Sequence, residues 1–145
     1  MGTIGESTMP KTTLVAVTVT ILALLELVTF SMLVGRARGR YGVKAPAVTG
    51  NEIFERYFRV HMNTLEQLVV FLPLLWIASA YAFVAYYWLA LIGALFLIGR
   101  VLYLRGYVAD PAKRSAGFGI GFLPMLALIV IDLVGIVLLW VRGAS

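Results

Sequence analysis

The chain has 145 residues, of which 61% are hydrophobic and 13% are charged, and its mean hydropathy is +0.95. Soluble domains carry about 25% charged residues, so this composition argues for a lipid-facing surface. There is no cysteine and a single histidine, which excludes thiolate metal sites and argues against a histidine-rich one. The formal net charge of +5 does not indicate nucleic acid, because the basic residues cluster between apolar spans. We therefore expect neither a metal nor a nucleic-acid partner.

Four apolar segments approach the length of about 20 residues that crosses a bilayer as a helix. They cover residues 13–34, 58–83, 85–107 and 112–141. The first does not resemble a cleavable signal peptide, because its apolar run is too long and ends in Val34-Gly35-Arg36. The sequence therefore predicts an all-α integral membrane four-helix bundle that forms a single domain over residues 1–145.

The charges between the spans predict an orientation. The loop after the first span and the loop after the third span are basic, whereas the turn between the second and third spans is uncharged and aromatic. Because cytoplasmic loops are enriched in Lys and Arg, we expect both basic loops in the cytoplasm and both termini on the opposite side. The basic residues of the two loops are Arg36, Arg38, Arg40, Lys44, Arg56, Arg59, Arg105, Lys113 and Arg114.

Local signals mark two boundaries and one packing site. Residues 41–51 contain two glycines and a proline and are predicted to be a non-helical loop. Asp110 followed by Pro111 is typical of a helix start. Small residues nearby favour close approach of another helix over a ligand role; they are Gly117, Gly119 and Gly121.

Ionisable residues inside membrane spans are expensive and each is a functional hypothesis. Glu26, Glu66 and Arg100 lie two to three turns from the cytoplasmic ends of their helices, on the order of 10–15 Å. Two interpretations stay open for Arg100: a structural ion pair with Glu26, or direct contact with a ligand. Asp132 lies nearer the opposite face, and the sequence offers no partner for it.

The start of the second span carries a polar stripe. Its residues, spaced three, four and three apart, fall on one face of a helix; they are Arg56, Arg59, Asn63 and Glu66. A cation, an amide and a carboxylate on one face suit a zwitterionic ligand, although a solvated interfacial turn would have the same pattern. At the end of the third span, Arg100, Tyr103 and Tyr107 form a similar set, in which the tyrosines alone would be ordinary interfacial residues.

Two blocks of the sequence resemble a known family. Residues 54–66 (FERYFRVHMNTLE) and 99–115 (GRVLYLRGYVADPAKRS) are similar to those of the MAPEG family, the membrane-associated proteins in eicosanoid and glutathione metabolism. The second block is most similar to the type-three microsomal glutathione S-transferases, with the leukotriene-C synthases close behind. The resemblance implies a homotrimer of four-helix subunits that binds glutathione between neighbouring subunits near the cytoplasmic face.

The resemblance also implies roles for individual residues. Arg114 matches the arginine that holds the glutathione thiolate and is therefore the expected catalytic residue. His61 stands where the synthases have a glutamine that can contact glutathione, and Gln67 departs from the tyrosine of the synthases. The expected glutathione-binding residues are Arg38 (acting on the adjacent subunit), Arg59, His61, Asn63, Glu66, Tyr103 and Tyr107.

The activity that the resemblance implies is conjugation of glutathione, a co-substrate, to lipophilic electrophiles, and glutathione-dependent reduction of lipid hydroperoxides. Membrane lipid is the expected surrounding medium. Two alternatives remain. One is a non-catalytic lipid-binding scaffold of the same family. The other is a small proton-coupled multidrug exporter, in which Glu26 would be the essential acid of the first span.

Overall fold

Four long α-helices follow one another along the chain. A computed structural model describes residues 9–81 and 83–143, except for the side chain of Arg114. The helices are α1 (Lys11–Arg40), α2 (Glu52–Ala80), α3 (Tyr86–Ala109) and α4 (Arg114–Gly143), and a 3-10 turn at Pro111–Lys113 leads into α4. Each is long and apolar enough to cross a membrane. The predicted all-α membrane bundle is confirmed.

The helices α1 and α2 extend beyond their apolar spans. The sequence predicts an end at residue 34 for the first helix and a start at residue 58 for the second, whereas α1 ends at Arg40 and α2 begins at Glu52. Each helix extends six residues past the predicted bound, because that bound follows hydropathy. The added turns are polar on one side, but they also carry Ala37 and Phe54, which pack together in a buried cluster. An amphipathic helix of this kind continues past the end of the apolar run.

The predicted loop between α1 and α2 is confirmed, and its ends have well-defined caps. Gly42 has a φ of +68°, and the amide of Val43 donates to the carbonyl of Arg38 at 3.2 Å, which is the Schellman ending of a helix. At the start of α2, the side chain of Asn51 accepts hydrogen bonds from the amides of Ile53 and Phe54 at 3.0 and 3.1 Å. These two caps determine where α1 ends and where α2 begins.

The connection between α3 and α4 is short. Asp110 is the C-terminal cap of α3, and its carboxylate accepts a hydrogen bond from the amide of Ala112 at 3.0 Å. The new helical turn therefore begins at the predicted Asp110–Pro111 site, although its first residues are 3-10 rather than α-helical.

The buried side chains form successive layers along the bundle. The largest layer contains residues of all four helices and includes the stacked rings of Phe71 and Phe96, whose centroids are 3.8 Å apart. A second layer is built around Phe30, Val60 and Tyr103. Large apolar residues elsewhere on the helices remain exposed, as a lipid-facing surface requires.

The helices α3 and α4 touch through their backbones. A Cβ at Gly117 would lie 2.6 Å from Cα of Tyr103, and a Cβ at Gly99 would lie 2.5 Å from Cα of Gly121. A Cβ at Gly119, in contrast, would meet nothing within 4 Å. The predicted close approach is therefore made by Gly117 and Gly121 but not by Gly119.

Candidate functional site

The polar stripe lies on the first four turns of α2, beside the end of α3. Arg59 and Glu66 are exposed, whereas Arg56 and Asn63 are half-buried. Arg56 Nη1 donates to the carbonyls of Val108 and Ala109 at 3.1 and 3.4 Å. A cation on the last carbonyls of a helix stabilises that end. Arg56 therefore fastens α2 to the end of α3, a role that its spacing in the sequence does not reveal.

Arg100 contacts the stripe from inside the bundle. Its side chain is fully buried, with 0% exposure, and its Nη1 donates to Asn63 Oδ1 at 3.0 Å. The guanidinium carbon lies 4.5 Å from the centroid of the Tyr103 ring. Gly121 of α4 leaves room for the guanidinium, because a Cβ there would lie 3.2 Å from Arg100 Nε. Residues of α2, α3 and α4 thus meet around one buried cation.

The two tyrosines of α3 connect this cation to the end of the bundle. The ring centroids of Tyr103 and Tyr107 are 5.4 Å apart, and Tyr103 is buried while Tyr107 is half-buried. Tyr107 and Arg59 line the same cavity of about 450 Å³, which the loop after α1 and the turn before α4 also border. This volume falls within the range of about 300–1,000 Å³ for small-molecule sites.

The start of α4 completes this end of the bundle. The side chain of Arg114 lies outside the described part of the structure, but its backbone forms the first residue of α4. The two antiparallel helices have a regular register: Gly121 packs against Gly99, and Gly117 against Tyr103. Continuing that register by one turn brings the backbone at Arg114 to the level of Tyr107.

The family is decided by comparison with known sequences. The MAPEG family profile matches residues 15–134. The chain belongs to the MAPEG family. The match spans every candidate site residue, and the family prediction is confirmed.

Three relatives show which MAPEG proteins this chain is similar to. An uncharacterized protein of Synechocystis sp. is 50% identical over 107 residues, or 74% of this chain and 75% of that protein. Human microsomal glutathione S-transferase 2 is 38% identical over 102 residues, 69% of this chain and 68% of the relative. Leukotriene C4 synthase of Cavia porcellus is 37% identical over 99 residues, 68% of this chain and 65% of the relative. Two of these relatives carry the type-two and synthase names, whereas the motifs predict a likeness to the type-three transferases.

Two candidate residues of the MAPEG resemblance lie apart from the polar stripe of α2. Arg38 is half-buried at the end of α1; its Nη1 donates to the carbonyls of Val43 and Ala47 at 3.2 and 2.8 Å. Its guanidinium carbon also lies 4.7 Å from the centroid of the Phe54 ring. His61 is half-buried and, being two residues from Asn63, faces nearly the opposite side of α2. The contacts of both residues with a ligand stay predictions.

The intramembrane acids have no direct partner among the described residues. Both carboxylate oxygens of Glu26 are buried without a hydrogen bond, and so are those of Asp132. The one ion pair that joins two described residues is Arg56–Glu52, at 3.7 Å. Glu26 and Arg100 form no ion pair within 4 Å. Their ion pair stays a prediction, while the contact that Arg100 does make, with Asn63, is one that the sequence did not predict.

Proposed function

We propose that this protein is a membrane-bound glutathione transferase that activates glutathione as a thiolate for attack on lipophilic electrophiles, and that it also reduces lipid hydroperoxides. The observation that carries the proposal is the group of Arg59, Asn63, Tyr103 and Tyr107 beside the start of α4, in a chain that belongs to the MAPEG family. Relatives named as a microsomal glutathione S-transferase and a leukotriene C4 synthase support it.

The side chains suit the chemistry of glutathione, a tripeptide with two carboxylates and one ammonium group. Arg59 is exposed and lines the cavity, so its guanidinium is available to a carboxylate in a charge-assisted hydrogen bond. Glu66, two turns further along α2, is exposed and suits the ammonium group. Asn63 lies between them on the same face. This order of charges along α2 matches the extended shape of the tripeptide.

Arg114 is proposed to stabilise the thiolate. A free thiol has a pKa of about 8.5, so most glutathione is protonated at neutral pH, and the thiolate is the nucleophile. A guanidinium beside the sulfur favours the ionised form, and the start of α4 adds the partial positive charge of a helix N-terminus. With a chlorinated nitrobenzene, the sulfur forms a bond to the ring carbon and chloride leaves. With a lipid hydroperoxide, two glutathione molecules are oxidised to the disulfide while the hydroperoxide becomes an alcohol and water.

We propose that the active form is a homotrimer with the site between subunits, near the cytoplasmic face, and with both termini on the opposite side. Glu66 supports a covered site, because it is exposed beside the apolar and exposed Val69 and Val70. A charged side chain facing lipid costs about 2.5–3.5 kcal/mol at the centre of a membrane helix. A neighbouring subunit and a bound zwitterion would remove Glu66 from lipid. Arg38 and His61, which lie away from the stripe of their own subunit, would then serve the neighbour's site.

The proposal is tested by assaying the purified protein with glutathione and either a chlorinated nitrobenzene or a fatty-acid hydroperoxide. We expect both substrates to be consumed. The Arg114→Ala variant should lose most of its turnover and keep most of its affinity for glutathione, whereas the neighbouring exposed Lys113→Ala variant should behave as wild type. Absence of glutathione-dependent turnover with every electrophile would contradict the proposal, and undiminished turnover in Arg114→Ala would remove that residue from the mechanism.

A further inference from the structure

Arg100 is the only fully buried cation among the described residues, and it contacts two residues of the candidate site. It shows 0% exposure, donates from Nη1 to Asn63 Oδ1 at 3.0 Å, and lies over the ring of Tyr103 at 4.5 Å. Its Nε and Nη2 atoms are also buried, with no hydrogen-bond partner in the described chain. A ligand on the exposed face of α2, where Arg59 and Glu66 lie, cannot reach these atoms without displacing the surrounding side chains. Arg100 is therefore placed to act on a ligand through its neighbours.

The contact with Asn63 determines how that side chain is oriented. A guanidinium has five N–H donors and no acceptor, so the atom of the Asn63 amide that faces it must be the oxygen. The amide NH2 group then points away from Arg100. Without this contact, the Asn63 side chain could adopt either of two amide orientations, which differ by a half-turn about its χ2 torsion. Asn63 is half-buried, so part of its side chain remains accessible from outside the bundle.

We propose that Arg100 is a positioning residue that holds the Asn63 amide with its NH2 group toward glutathione, where it donates a hydrogen bond to a carbonyl or carboxylate oxygen of the tripeptide. This inference rests on the proposed function. It differs from both roles expected from the sequence, an ion pair with Glu26 and direct contact with a ligand, because the guanidinium is fully buried and donates its hydrogen bond to Asn63.

The test is a double-mutant cycle on the purified full-length protein, with glutathione KM and kcat measured separately. Arg100→Met keeps an unbranched side chain of adequate length and removes the donors. Asn63→Ala removes the amide. Each single variant should raise the glutathione KM by about five- to tenfold, the effect of one lost hydrogen bond to a charged or polar partner, with kcat at saturating glutathione largely retained. The double variant should show the KM of Asn63→Ala alone, because Arg100 acts only through that amide.

Two further variants separate positioning from a merely structural role. Arg100→Lys keeps a donor-only side chain and should recover part of the KM that Arg100→Met loses. Asn63→Asp keeps an acceptor for Arg100 but presents only oxygen to the ligand, so its glutathione KM should rise although the contact with Arg100 becomes charge-paired. The thermal midpoint of Arg100→Met should not fall, because an apolar side chain replaces a buried cation that lacks a contacting counter-charge.

The outcomes are distinguishable from failure of the proposed function. If the wild-type protein neither binds nor turns over glutathione, the proposed function fails and this inference falls with it. If wild type is active but the two single-variant KM effects multiply in the double variant, Arg100 does not act through Asn63 and the inference is overturned. An unchanged KM in Asn63→Asp would show that the outward NH2 group does not donate to glutathione, which would also overturn it.

Discussion

The close contact of α3 with α4 should make Gly117 intolerant of even one methyl group. In the structure, a Cβ at this position would lie 2.6 Å from Cα of Tyr103, whereas carbon atoms in contact prefer about 3.5–4.0 Å. The added Cβ would collide with backbone atoms of α3, and no side-chain torsion can relieve that overlap. The two helices would therefore have to separate by about 1 Å. Overpacking of this kind costs about 1–3 kcal/mol.

The substitution also brings a gain that must be subtracted. Alanine is favoured over glycine inside a helix by about 1 kcal/mol. Because the overlap is with backbone atoms, we take the upper part of the overpacking range and subtract the gain in helix propensity. We therefore expect Gly117→Ala to lower the free energy of unfolding by about 1–2 kcal/mol. Because Tyr103 would be displaced with its helix, the glutathione KM should rise as well.

Gly119→Ala is a matched control, because it makes the same chemical change on the same helix where a Cβ meets nothing within 4 Å. It should leave the thermal midpoint unchanged or raise it. The assay is thermal unfolding in detergent followed by circular dichroism, and we expect Gly117→Ala to unfold about 4 °C or more below Gly119→Ala. Equal midpoints for the two variants would refute the backbone contact on which the register of α3 and α4 rests.

Three other predictions follow from the site and its supports. Asn51→Ala removes the side chain that caps two amides of α2 and should lower stability by about 1 kcal/mol; an unchanged midpoint in thermal unfolding would show that the cap is not needed. Glu26→Gln should change stability by less than about 1 kcal/mol, because the carboxylate accepts no hydrogen bond and forms no ion pair with a described residue, whereas a loss of about 3–5 kcal/mol would indicate that a buried ion pair with Arg100 had been broken. Arg59→Ala should weaken glutathione binding about tenfold, as expected for a lost charge-assisted hydrogen bond; the exposed Arg105→Ala is the control, and equal calorimetric affinities in the two variants would remove Arg59 from the site.

Much of the fold is encoded in patterns that a single sequence displays. The four apolar runs predict the four spans, the glycines and proline of residues 41–51 predict the loop, and Asp110–Pro111 predicts the turn into α4. The apolar run begins after the first two turns of α2, because charged residues hide this amphipathic part of the helix from hydropathy, although the polar stripe already places Arg56 on a helix. Phe54 could have revealed these turns, since it is an apolar residue among charged ones and is fully buried in the structure.

The contacts within the site were harder to predict than its members. Depth along a helix follows from counting residues, and it correctly placed Arg100 near the polar stripe of α2. Depth does not give the rotation of each helix about its axis, and that rotation decides whether a buried cation meets Glu26 or Asn63. The role of Arg56 on the carbonyls that end α3 was missed for the same reason, since it depends on where a different helix stops.

The ionisation of bound glutathione tests the central claim most directly. The thiolate absorbs in the ultraviolet where the thiol does not, so its formation on the purified protein is followed by difference absorbance as the pH is varied. We predict that bound glutathione ionises well below the free-thiol pKa of about 8.5, and that this lowering is largely lost in Arg114→Ala and kept in Lys113→Ala. Ionisation of glutathione at the same pH with and without the protein would contradict the account.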